Sequence, residues 1–365
     1  MLIVAFVRRC LASYRVRGWA AMPLLLLVSI QCWSDPSIVL QSVAPGVYVA
    51  LQPFADRFND SNSTVIVLDD TVVVVDTQTT LTATREILEQ IRKVTDKPVR
   101  WVVNTHWHGD HVQGNQIYRE AFPGVQFIAQ ASTREDMANR TTAELKDDVA
   151  SLPGRIEKYR QMLAIGHTPD GEALTDQQKS ILEMRVSTFS RQLPDLLQTH
   201  VVLPDVTFDN SLSLFGGNRE VRLTHYAGHT RGDVAVFLPA EKILITGDLL
   251  DDMPYTGDGS PAALVKTLHE FDRLDFDLII PGHGGIERGR EHLHQVTQLF
   301  ESIVSQVRDD VRASLSLADT KKKVNVEEFR VPLTGGEEHA MRAFDGFVPA
   351  AIERAYLEAT ETEAR

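Results

Sequence analysis

Apolar residues recur in short runs separated by polar turns over residues 37–130, and the same rhythm returns later in the chain. Runs of four to six apolar residues between turn residues, such as Val72–Val75, are typical of buried strands. The runs Val47–Leu51 and Thr64–Leu68 flank a polar loop, Pro53–Ser63, and we expect them to pair as a hairpin. The first part of the chain therefore predicts a sheet.

Residues 131–200 break this rhythm. They are charged, nearly free of β-rich runs, and predict two helices, at about 141–164 and 174–197, joined by the turn Gly166–Gly171. A helical insertion of this kind can pack over the mouth of a site, form a subunit contact, or only stabilise the fold. The sequence leaves these three roles open.

Three further helices are predicted outside the insertion. Ala83–Val94 follows the early strands, and Glu291–Arg312 has apolar residues at spacings of three and four, which is an amphipathic pattern. A last helix is expected over about 337–361. We interpret residues 301–365 as a helical C-terminal extension whose apolar side chains form core or dimer contacts, so a homo-oligomer is one expectation.

The first 34 residues have the pattern of a signal segment. They contain four arginines and no acidic residue, and the arginines precede the apolar run Ala20–Ile30. An uncharged run of about eleven residues is too short to span a bilayer and matches the apolar core of a signal. We predict export to a periplasm, with no stable membrane span after processing. The alternative is a cytoplasmic protein that starts further along, for example at Met22.

Charge and cysteine content restrict the partners and the ligands. The formal net charge of the chain is −13, and without the four arginines of residues 1–34 it is −17. This acidity argues against nucleic-acid and anionic-membrane partners and favours a small-molecule substrate. The two cysteines, Cys10 and Cys32, lie in the signal segment. Any metal in the folded part must therefore be held by His and Asp.

The strongest candidate chemistry lies in the segment from His106 to His111, which reads His-Trp-His-Gly-Asp-His and directly follows the apolar run Trp101–Val103. Imidazole nitrogens and carboxylate oxygens are ligands of zinc. Residues two apart in an extended segment face the same way, so His106 and His108 can bind one ion while Trp107 points elsewhere. The turn at Gly109 then directs Asp110 and His111 to a neighbouring position. The segment predicts half of a two-metal site.

This motif resembles the one that marks the metallo-β-lactamase-fold hydrolases. The resemblance extends over residues 37–300, the predicted catalytic domain, and implies a four-layer αββα sandwich. Four further pieces of the family pattern occur in the expected order along the chain. Asp76, after Val72–Val75, precedes the motif. The pieces behind it are Gly228-His229-Thr230, Gly247-Asp248 after Ile243–Thr246, and Gly282-His283 after Leu278–Pro281.

The resemblance implies two zinc ions, with iron or manganese as alternatives. The implied ligands are His106, His108 and His229 for the first ion, Asp110, His111 and His283 for the second, with Asp248 as the bridge. Asp76 is expected to orient a ligand by hydrogen bonding. A second Gly-His-Thr, at residues 166–168, lacks flanking strands, so we favour His229 over His167.

The implied reaction is hydrolysis. Two cations lower the pKa of a shared water towards ~7, and the hydroxide would attack a cyclic amide or ester-like carbonyl in a β-lactamase-like reaction, with Asp110 holding its proton. Asp248 also fits a thioester hydrolase similar to glyoxalase II, and a mono-iron dioxygenase of sulfur compounds is the third alternative. Loop residues are candidates for selecting the substrate: Phe54, Asp56, Phe58, Trp107, Asp251, Asp252 and Tyr255.

Overall fold

The early apolar runs form a seven-stranded sheet in the computed structural model, which describes residues 38–51 and 60–363. In order across the sheet the strands are β1 (Leu40–Ala44), β2 (Val47–Ala50), β3 (Ser63–Val67), β4 (Val72–Val75), β5 (Val99–Val103), β6 (Gln126–Gln130) and β7 (Val206–Phe208). The strands from β1 to β4 pair antiparallel, and those from β4 to β7 pair parallel. The predicted hairpin is confirmed as β2 and β3.

A second sheet of six strands is built from the later runs. They are β8 (Ser211–Gly216), β9 (Arg219–Tyr226), β10 (Asp233–Leu238), β11 (Ile243–Gly247), β12 (Leu278–Pro281) and β13 (Glu287–Arg288), and they pair in the reverse of this order across the sheet. Only β11 and β12 are parallel neighbours here. The carboxyl ends of β11 and β12 therefore lie at the same edge of the second sheet, as those of β4 and β5 do in the first sheet.

Alternation along the strands determines which side chains lie between the sheets. Val73 and Val75 of β4 pack against residues of the second sheet, such as Val236 and Ile245. Val72, on the opposite face, packs against helices of the first sheet's outer layer, which are α1 (Leu81–Val94) and α3 (Asn115–Ala121). Between β5 and α3 lies the four-residue α2 (Gly109–Val112).

Another apolar cluster covers the outer face of the second sheet. Its helices are α7 (Pro261–Phe271), α8 (Glu291–Arg312) and α11 (Glu338–Glu363). The amphipathic stripe predicted for Glu291–Arg312 is buried in this cluster, as at Leu299 and Phe300. The short helices α9 (Leu317–Lys323) and α10 (Arg330–Thr334), with a 3₁₀ turn at Glu327–Phe329, connect α8 to α11. The clusters together make four layers, which confirms the predicted αββα sandwich.

The insertion begins with α4 (Ala131–Asp136) and a π-helical turn, Met137–Thr141. The two predicted helices follow as α5 (Thr142–Ile165) and α6 (Asp176–Leu196). Gly166, at a φ of +73°, ends α5, and a capping box on Thr175 begins α6. The two helices share a small apolar cluster that includes Leu152 and Phe189.

Several predictions lie beyond what the structure tests. The signal segment and the loop candidates Phe54, Asp56 and Phe58 lie outside the described residues. The boundaries 37–300 and 301–365 stay predictions, although residues 36–365 group as one compact unit. Within the described part of the chain, no helix is both long and apolar enough to cross a membrane.

Candidate metal centre

The predicted ligands follow strand ends at one edge of the two sheets. His106 and His108 come after β5, Asp248 follows β11, and His283 follows β12. His229 lies in the turn between β9 and β10, where Asp233 accepts hydrogen bonds from the backbone of His229 and Thr230. In open sheets such edges are the usual position of binding sites.

Three histidines and an aspartate form the first group of candidate ligands: His106, His108, His229 and Asp248. The Nε2 atom of His229 lies 2.8 Å from Nδ1 of His108 and 3.1 Å from Nε2 of His106. Nδ1 of His108 lies 3.1 Å from the same His106 atom. Three ring nitrogens therefore converge on one point.

Asp110, His111 and His283 form the second group. Nε2 of His283 lies 3.1 Å from Oδ2 of Asp110 and 3.4 Å from Nε2 of His111. Asp248 lies between the two groups: its Oδ1 is 3.3 Å from His111, and its Oδ2 is 3.5 Å from His229. The carboxylate is thus placed where a bridging ligand would be.

Hydrogen bonds on the far sides of the rings indicate which nitrogens keep a lone pair. Nδ1 of His229 donates to the carbonyl oxygen of Tyr255 at 2.6 Å, and Nδ1 of His111 donates to Asp76 at 2.8 Å. These oxygens only accept, so the proton of each neutral ring lies outside the cluster. When these rings are neutral, the nitrogens that face inward present lone pairs, the form in which imidazole binds a metal.

Electrostatics favour neutral rings for two ligands of the first group, whereas at His111 the carboxylates of Asp248 and Asp110 outweigh burial and raise the pKa well above its usual range. Burial among other imidazoles lowers the pKa of His106 well below its usual range, and burial lowers the pKa of His229 to about 4. Burial alone would raise the pKa of Asp248, but the imidazoles of His111 and His283 hold that pKa well below its usual range. His106 and His229 are thus neutral rings beside one carboxylate.

The donor set fits a pair of metal ions. Converging lone pairs repel one another unless a cation lies between them, and Oδ1 of Asp248 is buried without a hydrogen-bond partner. A Cβ at Gly282 would lie 2.0 Å from this oxygen, so only glycine permits the close approach. Nitrogen and oxygen ligands of this number and burial suit a dimetal site.

Asp76 supports two ligands at once. Its Oδ2 accepts from Nδ1 of His111 and, at 2.7 Å, from the hydroxyl of Thr105. The Thr105 oxygen lies 3.0 Å from Nδ1 of His106 and can accept its proton. Asp76 adopts a φ of +61°, a strained conformation for this residue type. Its position agrees with the orienting role that the sequence suggested.

Sequence reasoning did not identify Asp258. Its Oδ2 lies 3.3 Å from Nε2 of His108, on the side of the ring that faces away from the cluster. The residue lies 150 positions from His108, in a loop of Gly, Asp and Ser that resembles any turn. No signal in a single sequence connects the two.

Three further residues lie outside the two ligand groups: the disfavoured His167, the loop candidate Trp107, and His225 near the end of β9. His167 lies in the turn between α5 and α6, exposed and bonded to the carbonyl of Ile165, whereas His229 is in the cluster. The ring of His225 bonds to the carbonyl of Arg231. Trp107 was predicted as a substrate contact, which is wrong: its side chain is only 1% exposed, packed with Val112 and Met137.

Two cavities meet at the metal ligands. One, of about 400 Å³, is bordered by His108, Asp110, His229, Asp248, Asp251, Asp252, Met253, Tyr255, His283, Gly284, Ala340, Ala343 and Phe347. The other, of about 510 Å³, lies beneath α5 and α6 and has mainly polar walls, including Glu144, Arg155 and Gln192. His108 and Asp110 line both. The loop candidates Asp251, Asp252 and Tyr255 thus lie at the site.

Comparison with known proteins agrees with this geometry. The family model of the metallo-beta-lactamase superfamily matches residues 56–283. A linear primary-alkylsulfatase from Pseudomonas sp. is 22% identical over 290 residues, which are 77% of this chain and 52% of the relative. The chain therefore spans about half the length of this curated relative.

Solved structures show the same fold. The stereoselective inverting sec-alkylsulfatase Pisa1 from Pseudomonas sp. superposes with a TM-score of 0.60 at 16% identity, over 88% of this chain and 50% of that one. A metallo-beta-lactamase from Pontibacter korlensis gives 0.50 at 18% identity, over 72% and 99%. Because the family model covers more than half of the chain, the chain belongs to the metallo-beta-lactamase superfamily of metal-dependent hydrolases.

Proposed function

We propose that this protein is a di-zinc hydrolase of esters that join an alkyl chain to a small acidic group, with sulfate esters as the first candidate. The observation on which the proposal depends is the cavity of about 400 Å³ beside both ligand groups. Its volume falls within the range of small-molecule pockets, roughly 300–1,000 Å³. Its walls away from the ligands are largely apolar.

Those walls suit a hydrocarbon chain. Their apolar part is formed by Met253 and Tyr255 after β11 and by Ala340, Ala343 and Phe347 on α11, while Asp251, Asp252 and Gly284 also border the cavity. The rings of Tyr255 and Phe347 contact each other at 5.3 Å between centroids. Each methylene buried there would contribute about 0.8 kcal/mol to binding. An alkyl chain in this cavity places its ester group at the ligands.

Zinc is the metal we propose. Three imidazoles and a carboxylate in the first group, and two imidazoles with carboxylates in the second, are its usual ligands, while iron and manganese remain alternatives. When bound, two zinc ions polarise the ester and lower the pKa of a shared water towards ~7.

The chain's own residues would assist in three ways. Asp110 faces both cavities, so its carboxylate can accept a proton from the attacking water. Asp248 holds the two groups at a fixed separation. Buried surroundings, with His106, His111 and His229 each at most 2% exposed, exclude bulk water and strengthen these interactions.

The relative named as an alkylsulfatase supports a sulfate ester over the cyclic amide that the sequence suggested. The match to a metallo-beta-lactamase structure supports the fold alone. β-Lactam, thioester and sulfur-oxidation activities are therefore secondary hypotheses. Export to a periplasm, a homo-oligomeric state and the lack of nucleic-acid partners also stay proposals from the sequence.

Turnover of primary alkyl sulfates of graded chain length tests the proposal, with a chromogenic β-lactam and a thioester measured in parallel. We expect kcat/KM to rise with chain length until the cavity is full. Failure of every sulfate ester, together with turnover of either comparison substrate, would reject the sulfate part.

A pair of variants tests the alkyl cavity. Ala343→Leu narrows the cavity and should lower kcat/KM for the longest good substrate about tenfold, the equivalent of about two unburied methylenes. Ala350→Leu, at a partly buried position of the same helix that does not line the cavity, is the matched control. Equal chain-length profiles in both variants would contradict the assignment.

A further inference from the structure

His108 differs from the other ligands of the first group in how its ring is supported. His106 is supported by the hydroxyl of Thr105, the residue before it, and His229 by the backbone carbonyl of Tyr255 in the loop between β11 and α7. His108 instead faces a carboxylate, that of Asp258 in the same loop, at 3.3 Å. Its Nδ1 faces the cluster, so the proton on Nε2 must have an acceptor on this side.

Asp258 is in turn held by the insertion. Its other oxygen, Oδ1, accepts a hydrogen bond from the guanidinium of Arg140. The carboxylate of Asp258 therefore accepts from both partners at once, one on each oxygen.

Arg140 is placed by the π-helical turn Met137–Thr141 at the start of the insertion. Its guanidinium carbon lies 3.9 Å from the centre of the Trp107 ring, which is the residue before His108. The next residue, Thr141, donates a hydrogen bond to the carbonyl of Trp107 at 2.5 Å. The turn therefore makes two contacts with Trp107 in the ligand segment, one with its ring and one with its backbone carbonyl. π-Helical turns often occur at functional sites.

We propose that Asp258 is a positioning residue for His108 and that Arg140, through Asp258, makes metal binding by the first group depend on the insertion. The inference rests on the di-metal function proposed above. It assigns the insertion a role that its sequence left open. Loss of a supporting contact of this type lowers metal affinity about 10–100-fold.

The experiment measures zinc binding to the full chain by competition with a chromogenic chelator. The variants are Asp258→Ala, Arg140→Ala and the double variant. Glu301→Gln is the matched control, since Glu301 accepts a hydrogen bond at 2.8 Å from Nε2 of His269 on the surface, and neither residue belongs to the ligand groups. Thermal unfolding of the metal-free forms is recorded beside each titration.

We expect Asp258→Ala to lower the affinity for one of two zinc ions about 10–100-fold and to leave the affinity for the other unchanged. Arg140→Ala should lower the affinity for the same ion by a smaller factor. The double variant should be no weaker than Asp258→Ala, because Arg140 acts through Asp258. Metal-free stability should match that of Glu301→Gln, which separates positioning from a structural contribution.

Other outcomes would overturn the proposal. Zinc affinity in Asp258→Ala equal to the control rejects the positioning role, and additive losses in the double variant reject the link through Arg140. If Asp258→Ala does not fold, Asp258→Asn keeps the volume but can satisfy only one of the two partners, and unchanged affinity in it rejects the proposal equally. Wild-type chain that binds no second zinc would instead refute the proposed function.

Discussion

Replacing Gly282 by Ala is expected to displace Asp248 from the metal cluster and leave the fold in place. The added Cβ would lie 2.0 Å from Oδ1 of Asp248 and 2.9 Å from the backbone carbonyl carbon of Gly247, whereas ordinary contacts begin at 3.4 Å. The backbone at Gly282 cannot easily retreat, because its N–H bonds to Gly247 at 2.8 Å and its carbonyl accepts from Asn62 at 2.6 Å. The carboxylate must therefore move.

The overlap should lower both the stability of the metal-free protein and its affinity for zinc. Overpacking of a buried position costs about 1–3 kcal/mol, so the metal-free variant should unfold at a temperature a few degrees lower. Displacing Asp248 from both ligand groups should weaken zinc binding by at least about tenfold. Zinc content by elemental analysis and thermal unfolding, each with and without a chelator, measure the two effects separately.

Gly285→Ala is the control for this variant. A Cβ at Gly285 has no neighbour within 4 Å, and neither glycine is among the residues with a positive φ. We expect Gly285→Ala to keep two zinc ions and to change stability by less than about 0.5 kcal/mol. If Gly282→Ala binds zinc as well as Gly285→Ala does, then Asp248 does not occupy the bridging position.

Three other predictions address the ligands, the metal and the fold. His108→Ala and His283→Ala should each lower zinc content and activity, whereas His167→Ala should change neither; zinc lost in His167→Ala but kept in the others would invalidate the ligand set. Removal of the metals by a chelator should abolish activity but preserve the circular dichroism of the fold, and added zinc should restore activity. Arg219→Ala should destabilise the protein by about 1–3 kcal/mol in denaturant unfolding, because its guanidinium donates hydrogen bonds to the carbonyls of Val67 in β3 and Pro45 in the turn after β1. Arg222 forms an exposed ion pair with Glu220, so Arg222→Ala should lower stability by less than about 1 kcal/mol.

The sequence was sufficient to predict which residues form the two groups of candidate ligands, because each lies next to a feature that a single chain displays. An apolar strand followed by Gly, Asp or His has a defined end, and the ends of parallel strands share an edge of the sheet. Asp248 after β11 and His283 after β12 illustrate this, since β11 and β12 pair in parallel. The two long helices of the insertion were also predicted to within about two residues, from their charge and the turn at Gly166.

The contacts that support the ligands could not be predicted in the same way. Asp258 and Arg140 meet because the insertion folds back over the loop after β11, which depends on packing rather than on local pattern. Trp107 was misjudged for a related reason. It was named only as one of several loop residues around the site, but the insertion covers it with Met137 and Arg140.

We expect different segments of this chain to select the substrate and to hold the metals. The ligands occupy strand ends that the two sheets hold in place, so they specify hydrolysis but not the molecule hydrolysed. The cavity walls come from segments outside the strands: α11 supplies the apolar side, with Ala343 and Phe347, and the insertion supplies the polar side, with Glu144 and Arg155. We expect changes in the α11 wall to leave the candidate ligands in place, because no residue of α11 belongs to either ligand group. Variants in α11 should therefore alter KM and chain-length preference, whereas variants that disturb Asp258 or Asp76 should alter metal affinity.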